Sequence, residues 1–338
     1  MSAVTRLNVQ RQTGDMRPQS VPWAVQTGVH ELFPRAPFSF GHALGFLRRF
    51  PPTLGERAVV GEAVLGAARV DGRTIAFHVE QSGSTERPAL RCTLHLPISR
   101  SGEMGLEGES LRSETEAILL ARVGDWLGID DDLLPFYALA TDDPPFDTLV
   151  RRMYGYHQVR FFTPFENACW AILGQRTPIS VARAAKRRLM ERFGGAVELD
   201  GHTLLAFPEP ADLVASTSQE LAELVKSERK ADRLLAIARA FASQYPSELQ
   251  AMPTGKLSAW LRALPGIGPW SATFILLRGF GRVDAPLPLG AADSFDRELL
   301  QAGRAVYGPD LSAAQLAEIA ERYGPWRGAW GHYLRVAL

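Results

Sequence analysis

Apolar residues along this chain follow two different periods, and the change of period divides the chain in two. In the first part, apolar residues alternate with other residues, as in Ile75, Phe77 and Val79 and again between 90 and 96. Alternation of this kind places one face of a strand against a core. Asp71-Gly72, which lies between two such runs, is the signal for a two-residue hairpin turn. The pattern predicts about three antiparallel strands with one covered face.

Two helices are predicted beside these strands. The run from His42 to Phe50 has the spacing of a short amphipathic helix, and Pro51-Pro52 ends it. A longer helix is predicted from Ser113 to Leu127, because Ser113 and Glu116 fit a capping box. Strands and helices together predict an α+β unit in this part of the chain.

Beyond Thr141–Pro145, the best candidate linker, the chain is predicted to be almost entirely helical. Ser312 and Gln315 fit a capping box at the start of the last long helix. The main helical runs are expected at residues 165–174, 180–193, 219–225, 230–244, 295–305 and 313–323. The predicted fold class is therefore α+β, with an antiparallel sheet and helices first and an all-α core second.

These patterns divide the chain into three segments. Residues 1–30 are polar with little periodicity and are expected to form a flexible arm. Residues 31–145 are expected to form the N-terminal α+β domain, and residues 146–338 the helical core. One helix of that core carries a basic face, expected to be solvated, formed by Arg183, Lys186, Arg187 and Arg188.

The stretch from Leu264 to Ala272 reads as the end of one helix, a glycine turn and the start of another. Pro265 ends the first helix, because the residue before a proline is pushed out of the α region. Gly266 and Gly268 allow a positive φ and leave the backbone bare. Such a turn points backbone N–H groups outward at a helix N-terminus, where a phosphate can bind. The sequence therefore predicts a helix-hairpin-helix at about residues 257–278.

Composition limits the classes of protein to which the chain can belong. It is 46% hydrophobic and 22% charged, as in ordinary globular proteins. Cys92 and Cys169 are far apart in the sequence, which favours a reducing compartment and argues against a four-cysteine metal site. The N-terminus does not resemble a signal peptide, and no apolar run is long enough to span a membrane. These features predict a cytoplasmic location, which would be nucleoid-associated if the chain binds DNA.

The net charge is zero, which by itself argues against a nucleic-acid partner. The charges are unevenly distributed, because residues 151–338 carry 23 Lys and Arg against 18 Asp and Glu. The C-terminal half could therefore present a basic face, although an excess of this size also arises by ordinary scatter.

One acidic residue lies where it could face the hairpin. Asp293 comes 25 residues after Gly268, after a loop rich in proline, glycine and alanine and before a helix that begins near Phe295. An aspartate there can simply cap that helix, but the same placement could bring its carboxylate beside the hairpin. Asp296, one turn further along, is the rival candidate, and Asp284 lies on the far side of the loop.

Three stretches together resemble the 3-methyladenine DNA glycosylase II family of helix-hairpin-helix DNA glycosylases. Phe165–Gln175 is similar to the segment that opens the family's core, Leu264–Gly279 to its hairpin and following helix, and Tyr323–Arg327 to the start of its C-terminal helix. The resemblance covers about residues 38–338, and its motifs lie in the C-terminal half. It implies an α+β unit before a helical glycosylase core, and excision of alkylated bases from DNA.

In that family a single aspartate after the hairpin is the essential catalytic carboxylate, and the resemblance maps it onto Asp293, with Asp296 left open. Breaking a base–sugar bond builds positive charge on the sugar, which a partly buried carboxylate stabilises. Related enzymes that also cut the strand place a lysine nucleophile where this chain has Trp270. The resemblance therefore implies a monofunctional hydrolase.

The resemblance also implies which residues form the base pocket. Trp270 and Phe274 are expected to wall it, and a plain core tryptophan is the alternative role of Trp270. Another pocket tryptophan of the family aligns with Arg335, so Trp330 and Tyr333 are the nearby residues expected to replace it.

DNA contacts are expected from two turns. Backbone N–H groups of the hairpin and one nearby hydroxyl should bind a phosphate, and a second turn should fill the gap that a flipped base leaves. The residues expected to do this are Gln175, Arg176, Gly266, Ile267, Gly268 and Ser271. The family has a leucine where this chain has Arg176, which could stack into the gap, hold the opposite base or contact a phosphate.

No metal ligands and no cofactor are predicted, apart from a monovalent cation on hairpin carbonyls that the resemblance implies. The expected partner is duplex DNA that contains damaged bases, bound by a monomer. Two other functions stay open: a glycosylase for oxidised or deaminated bases, and a non-catalytic helix-hairpin-helix DNA-binding protein. The binding protein would need no acid at position 293.

Overall fold

An antiparallel sheet of eight strands forms one layer of the protein in the computed structural model, which describes residues 6–10, 22–97, 106–286 and 294–336. Its strands are β1 (Arg6–Gln10), β2 (Pro22–Leu32), β3 (Ala58–Val60), β4 (Ala63–Val70), β5 (Arg73–Gln81), β6 (Leu90–Pro97), β7 (Ala196–Leu199) and β8 (His202–Leu205). Their order across the sheet is β3-β4-β5-β6-β2-β1-β7-β8, and each neighbouring pair is antiparallel.

The hairpin predicted at Asp71-Gly72 is confirmed between β4 and β5. Both turn residues have a positive φ, +48° and +69°, which a two-residue turn of this type requires. Ile75, Phe77 and Val79, the alternating apolar residues of β5, are fully buried. The turn therefore sets the register that puts this face of the strand into the core.

The sheet extends beyond the region in which the sequence predicted strands. β2 pairs with β6 from Val25 opposite Pro97 to Leu32 opposite Leu90, so the prediction of a flexible arm is wrong for residues 22–30. β7 and β8 come from the helical half and join the sheet through β1, so that half is not all-α. Strands of four residues carry too little alternation to be recognised locally, and pairing with a distant strand stabilises them.

Helices pack on the sheet and form the rest of the protein. They are α1 (Phe40–Leu47), α2 (Leu106–Leu127), α3 (Leu134–Ala140), α4 (Pro144–Arg152), α5 (Pro164–Leu173), α6 (Ile179–Leu189), α7 (Pro210–Val214), α8 (Ser218–Val225), α9 (Glu228–Ala242), α10 (Pro246–Ala251), α11 (Thr254–Arg262), α12 (Pro269–Arg278), α13 (Ser294–Tyr307), α14 (Ala313–Arg322) and α15 (Arg327–Val336). Among the helices that the structure describes, none combines the length and the apolar character needed to cross a membrane.

Two predicted helix starts had different outcomes. α2 begins at Leu106, so Ser113 lies inside the helix and the capping box predicted there is wrong. Glu116 instead accepts a hydrogen bond from Nε of Arg112 on the preceding turn (2.7 Å). The capping box predicted at Ser312 is present at the start of α14, with both of its reciprocal hydrogen bonds.

The predicted linker between the two halves is a short turn in the structure, because α3 ends at Ala140 and α4 begins at Pro144. Asp143 in this turn is buried, and its Oδ2 accepts hydrogen bonds from the hydroxyls of Tyr307 (2.7 Å) and Tyr323 (2.9 Å). The turn is therefore fixed to the C-terminal helices rather than serving as a tether.

The two halves share one hydrophobic core. Phe77 of β5 stacks on Phe162, with 5.4 Å between ring centroids, and Trp126 of α2 packs edge-on against both rings. Burial of three aromatic side chains from three separate stretches favours a single cooperative unit over two independent domains.

The basic face predicted on α6 is only partly solvated. Lys186 is 0% exposed, and its Nζ lies 2.6 Å from carboxylate oxygens of both Glu56 and Glu166. The helical period explains the error, since Lys186 lies on the same buried stripe as Ala182 and Leu189. This ion cluster joins α5 and α6 to the loop before β3.

Candidate active site and nucleic-acid interface

The predicted helix-hairpin-helix is formed by α11, a glycine turn and α12. Gly266 has a φ of +86°, and the N–H of Ile267 donates to the carbonyl of Leu264 (3.1 Å), which closes the turn. Gly268 then caps α12 with extended backbone, and the N–H of Ala272 donates to its carbonyl. The turn is thus a rigid entry into α12, with Gly266 as the position that requires left-handed backbone.

This turn presents backbone N–H groups rather than side chains. The N–H groups of Gly268 and Ser271 find no acceptor among the described residues, as is usual for the start of a helix. The Ser271 side chain is only 5% exposed and that of Ile267 is 4% exposed. Helix packing thus leaves little of Ser271 exposed, and a contact between its hydroxyl and a phosphate stays a prediction.

Gln175 lies beside the hairpin and is hydrogen-bonded to it. Its Nε2 donates to the carbonyl of Gly266 (2.7 Å), and its Oε1 accepts from Nη1 of Arg233 on α9 (2.8 Å). The structure thus gives Gln175 a supporting role for both turns.

Arg176 is exposed at the tip of the turn between α5 and α6, and its φ is +50°. This left-handed conformation is uncommon for a residue other than glycine, asparagine or aspartate. Because Gln175 contacts the hairpin, the turn that carries Arg176 lies next to the hairpin.

A cavity of about 460 Å³ opens beside α12. Its described lining residues come from α1 and the segment after it, from α12, α13 and α15, and from position 158. They are Phe46, Arg49, Phe50, Pro51, Gln158, Trp270, Phe274, Leu277, Arg278, Glu298, His332, Arg335 and Val336. The volume and the mixture of aromatic walls with a few polar groups suit a small planar ligand.

Stacked aromatic pairs form much of this wall. Trp270 and Phe274, one helical turn apart on α12, have ring centroids 5.3 Å apart and an interplanar angle of 8°. Phe46 and Phe50 form a second stacked pair, 4.8 Å apart, on the part of the wall that the N-terminal half contributes. Flat aromatic surfaces of this kind suit stacking on a nucleobase.

The expectation for Trp330 and Tyr333 is corrected by the structure. Both are fully buried in the core, where Trp330 donates from Nε1 to the Tyr307 hydroxyl (3.0 Å). The face of α15 that lines the cavity carries His332 and Arg335. The helical period places Trp330 and Tyr333 on one face of α15, and His332 and Arg335 on another. Arg335, which aligns with the family's pocket tryptophan, thus lines the cavity itself.

Arg278 lies at the cavity with its charge buried. It is 6% exposed, and its guanidinium carbon lies 4.7 Å from the ring centroid of Phe46 and 4.6 Å from that of Phe50. Nη1 donates to the imidazole of His332 (3.2 Å), whereas Nε and Nη2 have no hydrogen-bond partner. Burial lowers the pKa of Arg278 to about 10, so the guanidinium stays charged at neutral pH.

His332 is neutral in this environment. Burial, together with the charges of Arg278 and Arg335, lowers its pKa well below the ordinary value of 6.5. Its Nε2 shares a hydrogen bond with the hydroxyl of Tyr156 (3.1 Å), and burial raises the pKa of that hydroxyl. The imidazole therefore helps to hold the guanidinium without adding charge to the cavity.

The candidate catalytic aspartate, Asp293, lies outside the described residues. Asp296 is on the first turn of α13, and the structure does not describe its side chain, whereas Glu298, at the start of the second turn, lines the cavity. Asp284 is exposed, and its Oδ1 accepts from the hydroxyl of Thr254 at the start of α11. The N-terminal half of α13 therefore reaches the cavity at Glu298, and Asp284 does not line it.

Sequence reasoning missed several residues of the cavity. Arg278 follows Phe274 by four residues, a spacing that puts both on one face of α12, so this residue could have been found. Phe46 and Phe50 carry no local signal, because their helix is far away in the sequence. Within the described part of the chain, no group of three or more His, Cys, Asp or Glu side chains could hold a metal ion.

Comparison with known proteins agrees with this geometry. Residues 169–321 match the family model of the HhH-GPD superfamily base excision DNA repair protein. A DNA-3-methyladenine glycosylase of Bacillus subtilis is 32% identical over 158 residues, which are 46% of this chain and 52% of the relative. DNA-3-methyladenine glycosylase 2 of Escherichia coli is 31% identical over 48% of this chain and 54% of its own length. The chain thus spans about half the length of the curated relatives that it matches.

A solved structure extends the likeness of the fold to most of the chain. The 3-methyladenine DNA glycosylase from Archaeoglobus fulgidus superposes with a TM-score of 0.67 and 23% identity, covering 90% of this chain and 97% of that one. This supports the same α+β arrangement of sheet and helices. The match to the HhH-GPD family model covers less than half of the chain, and it includes the hairpin and the turn that carries Arg176.

Proposed function

We propose that this protein is a monofunctional DNA glycosylase that hydrolyses the N-glycosidic bond of alkylated bases, of the 3-methyladenine type, in duplex DNA. The observation that carries the proposal is the set of groups on the first two turns of α12. At its start the N–H groups of Gly268 and Ser271 have no acceptor among the described residues, and its first two turns carry the stacked Trp270 and Phe274 of the cavity wall. One helix thus combines a phosphate anchor with a base pocket. The names of the relatives support the same activity.

Hydrolysis needs one carboxylate beside the sugar. As the bond to the base breaks, positive charge develops on the sugar, and a carboxylate stabilises it electrostatically and orients the attacking water. We propose this role for Asp293, since it immediately precedes α13 in the sequence and Glu298 of that helix lines the cavity. An alkylated purine leaves easily because alkylation makes it electron-poor, so a second carboxylate acting as general acid is less needed.

The absence of strand cleavage is proposed from position 270. Related enzymes that cut the strand use a lysine amine as nucleophile at this position, and an indole cannot form a Schiff base. None of the described residues that line the cavity is a lysine. Trp270 is instead proposed to stack on the flipped base.

Base flipping requires the vacated space in the duplex to be filled. We propose that Arg176 fills it, because its side chain is exposed and its turn is hydrogen-bonded through Gln175 to the hairpin. A monovalent cation on hairpin carbonyls would add positive charge near the DNA phosphate. The carbonyl of Gly266 already accepts from Gln175, and its second lone pair could still face such a cation.

A second candidate function is excision of neutral damaged bases, such as deaminated purines. Arg278 favours it, because no acidic side chain within the described residues pairs with this buried cation, and two of its nitrogen atoms, Nε and Nη2, have no partner. A cation at the cavity disfavours a cationic base and attracts a carbonyl oxygen. The pocket would then accept bases with an acceptor edge.

Excision from methylated duplex DNA tests the proposal. The purified protein is expected to release free 3-methyladenine, and Asp293→Asn is expected to bind the duplex while releasing almost none. Asp296→Asn is the matched control and should retain release; the opposite result would move the carboxylate to Asp296. If both variants match the wild type, the protein is not a glycosylase of this kind. Borohydride should trap no covalent adduct, and a trapped adduct would refute monofunctional chemistry.

A further inference from the structure

We propose that Arg233 on α9 is a positioning residue that sets the Arg176 turn against the phosphate-binding hairpin. The inference rests on the proposed function only for what the two segments do to DNA. The contacts that connect them are independent of it. Arg233 is half-buried, and nothing in its sequence context marks it as functional.

The first observation is backbone strain at the exposed tip. Arg176 is held at a φ of +50° although its side chain has no described partner that would require this conformation. Left-handed backbone at such a residue costs about 1 kcal/mol or more and persists only where its surroundings enforce it. The restraint on this turn must therefore come from the residues on either side of Arg176.

Both neighbours are restrained, and α9 supplies both restraints. Nζ of Lys230 donates to the carbonyl of Leu173 (2.6 Å) and to the hydroxyl of Thr177, which itself donates to the carbonyl of Gln175. On the other side of the tip, the Gln175 side chain is held by Arg233. Two cations one turn apart on α9 thus hold the turn from both ends.

Arg233 also defines the position of the hairpin. By donating to Oε1 of Gln175, it leaves Nε2 of the same amide to donate to the carbonyl of Gly266. The stem of Arg233 packs against Gly266, where a Cβ would lie only 2.8 Å from Cδ of the arginine. One side chain thus orients the amide that joins the two turns and limits how closely they approach.

This arrangement has a consequence for DNA. A hairpin that binds phosphate and a tip that enters the duplex must be correctly spaced for a nucleotide to leave the helix. Loss of the spacing should leave the first encounter with the duplex intact and slow the steps after it. Loss of a direct phosphate contact would do the opposite.

The first experiment needs no DNA and no activity. Hydrogen exchange of peptides covering residues 174–178 and 264–270 is compared between Arg233→Met and a matched control, Arg229→Met, an exposed arginine on the same helix. Arg233→Met is expected to accelerate exchange in both segments together, by about tenfold or more, and the control in neither. Acceleration in neither segment, or in the 174–178 peptide alone, would overturn the inference. Circular dichroism and thermal unfolding verify the fold.

The second experiment tests whether Arg233 acts through Gln175. Single-turnover release of 3-methyladenine from methylated duplex, at saturating protein, is expected to fall about 10- to 100-fold in Arg233→Met. Gln175→Leu should cause a similar loss, and the double variant should be no worse than either single variant. Arg233→Lys, which can still donate to Oε1, should recover part of the rate. Independent, multiplying losses would contradict action through Gln175.

The third measurement separates positioning from direct phosphate binding. If Arg233 contacts DNA itself, Arg233→Met should weaken binding to undamaged duplex and reduce the salt slope by about one relative to Arg229→Met. Equal slopes are expected. If the wild type releases no base at all, the proposed function fails. Hydrogen exchange, and fluorescence of 2-aminopurine opposite an abasic analogue in the bound duplex, still decide whether Arg233 couples the two turns.

Discussion

Two buried cations of this protein have opposite surroundings. Lys186 is fully buried between Glu56 and Glu166, whereas Arg278 is nearly as buried and contacts aromatic rings and a neutral histidine. A buried charge without an opposite charge is costly, so a fold normally supplies a partner. The fold does so at Lys186. At Arg278 it leaves two buried nitrogen atoms without a hydrogen-bond partner among the described residues, in a side chain that lines the cavity.

The largest expected effect is the loss of stability when Lys186, which is paired with Glu56 and Glu166, is replaced. Lys186→Met removes the ammonium that lies 2.6 Å from each of two buried carboxylates and should lower the free energy of unfolding by about 3–5 kcal/mol. Urea unfolding of the purified variant measures this loss. Arg187→Met, on the exposed side of α6, is the matched control and should cost less than about 1 kcal/mol. Equal costs for the two variants would mean that the cluster does not stabilise the fold.

Arg278→Met, unlike Lys186→Met, should not destabilise the protein. Stability should stay unchanged or rise, because the variant replaces an unpaired buried charge with an apolar side chain of similar length. Base selectivity should change instead. Release of cationic 7-methylguanine relative to neutral hypoxanthine should increase about tenfold, equivalent to about 1.4 kcal/mol.

The selectivity ratio is measured by parallel release assays on the two duplexes. Arg278→Lys keeps the charge and should keep the wild-type ratio within a few-fold. A ratio that does not move in Arg278→Met would show that the guanidinium serves only the fold. A loss of stability like that of Lys186→Met would remove the contrast between the two sites.

The contrast also explains what could be read from the sequence. The hairpin at Leu264–Ala272 is local, because proline and glycine impose its backbone, and the Asp71-Gly72 turn is local for the same reason. These two turns need no knowledge of distant residues, so elementary physical chemistry was sufficient to predict them. Trp270 and Phe274 were expected at the pocket only through the family resemblance, and their four-residue spacing allows the stacking that the structure shows.

What the sequence could not predict depends on packing between distant stretches. Phe46 and Phe50 complete the cavity from the other half of the chain, and β7 is a strand because β1 pairs with it. Lys186 reads as a solvated lysine until Glu56 and Glu166 are placed beside it. The assignment of Trp330 to the pocket failed for a related reason, since α15 could have presented either face to α12.

His332, which is hydrogen-bonded to Arg278, should make the stability of the protein depend on pH in the acid range. The pKa of His332 is lowered on folding, so its contribution to stability is fully present above about pH 6.5 and is lost as the pH falls and the unfolded chain takes up a proton. His332→Asn should therefore flatten the decline of unfolding free energy below that pH, by at most about 1.4 kcal/mol per pH unit. Urea titrations at a series of pH values measure the slope. The exposed His202→Asn should not change it, and an unchanged slope in His332→Asn would mean that the imidazole is not buried neutral.

The smallest expected effect concerns Glu56, which contacts Lys186. Its contribution to stability changes with pH in the direction opposite to that of His332. Burial raises the pKa of Glu56 above its ordinary value of 4.5, with the negative charge of Glu166 adding to the rise and Lys186 opposing it. The contribution of Glu56 to stability is therefore present below about pH 4.5 and is lost as the pH rises through the folded-state pKa. Glu56→Gln removes this loss, so the variant should gain stability relative to the wild type between acid and neutral pH, by less than about 1 kcal/mol per pH unit. The same urea series measures the gain, with exposed Glu62→Gln as the control. If Glu56→Gln at neutral pH instead costs as much as Lys186→Met, then both carboxylates are needed as anions, and a single lysine balances two charges rather than one.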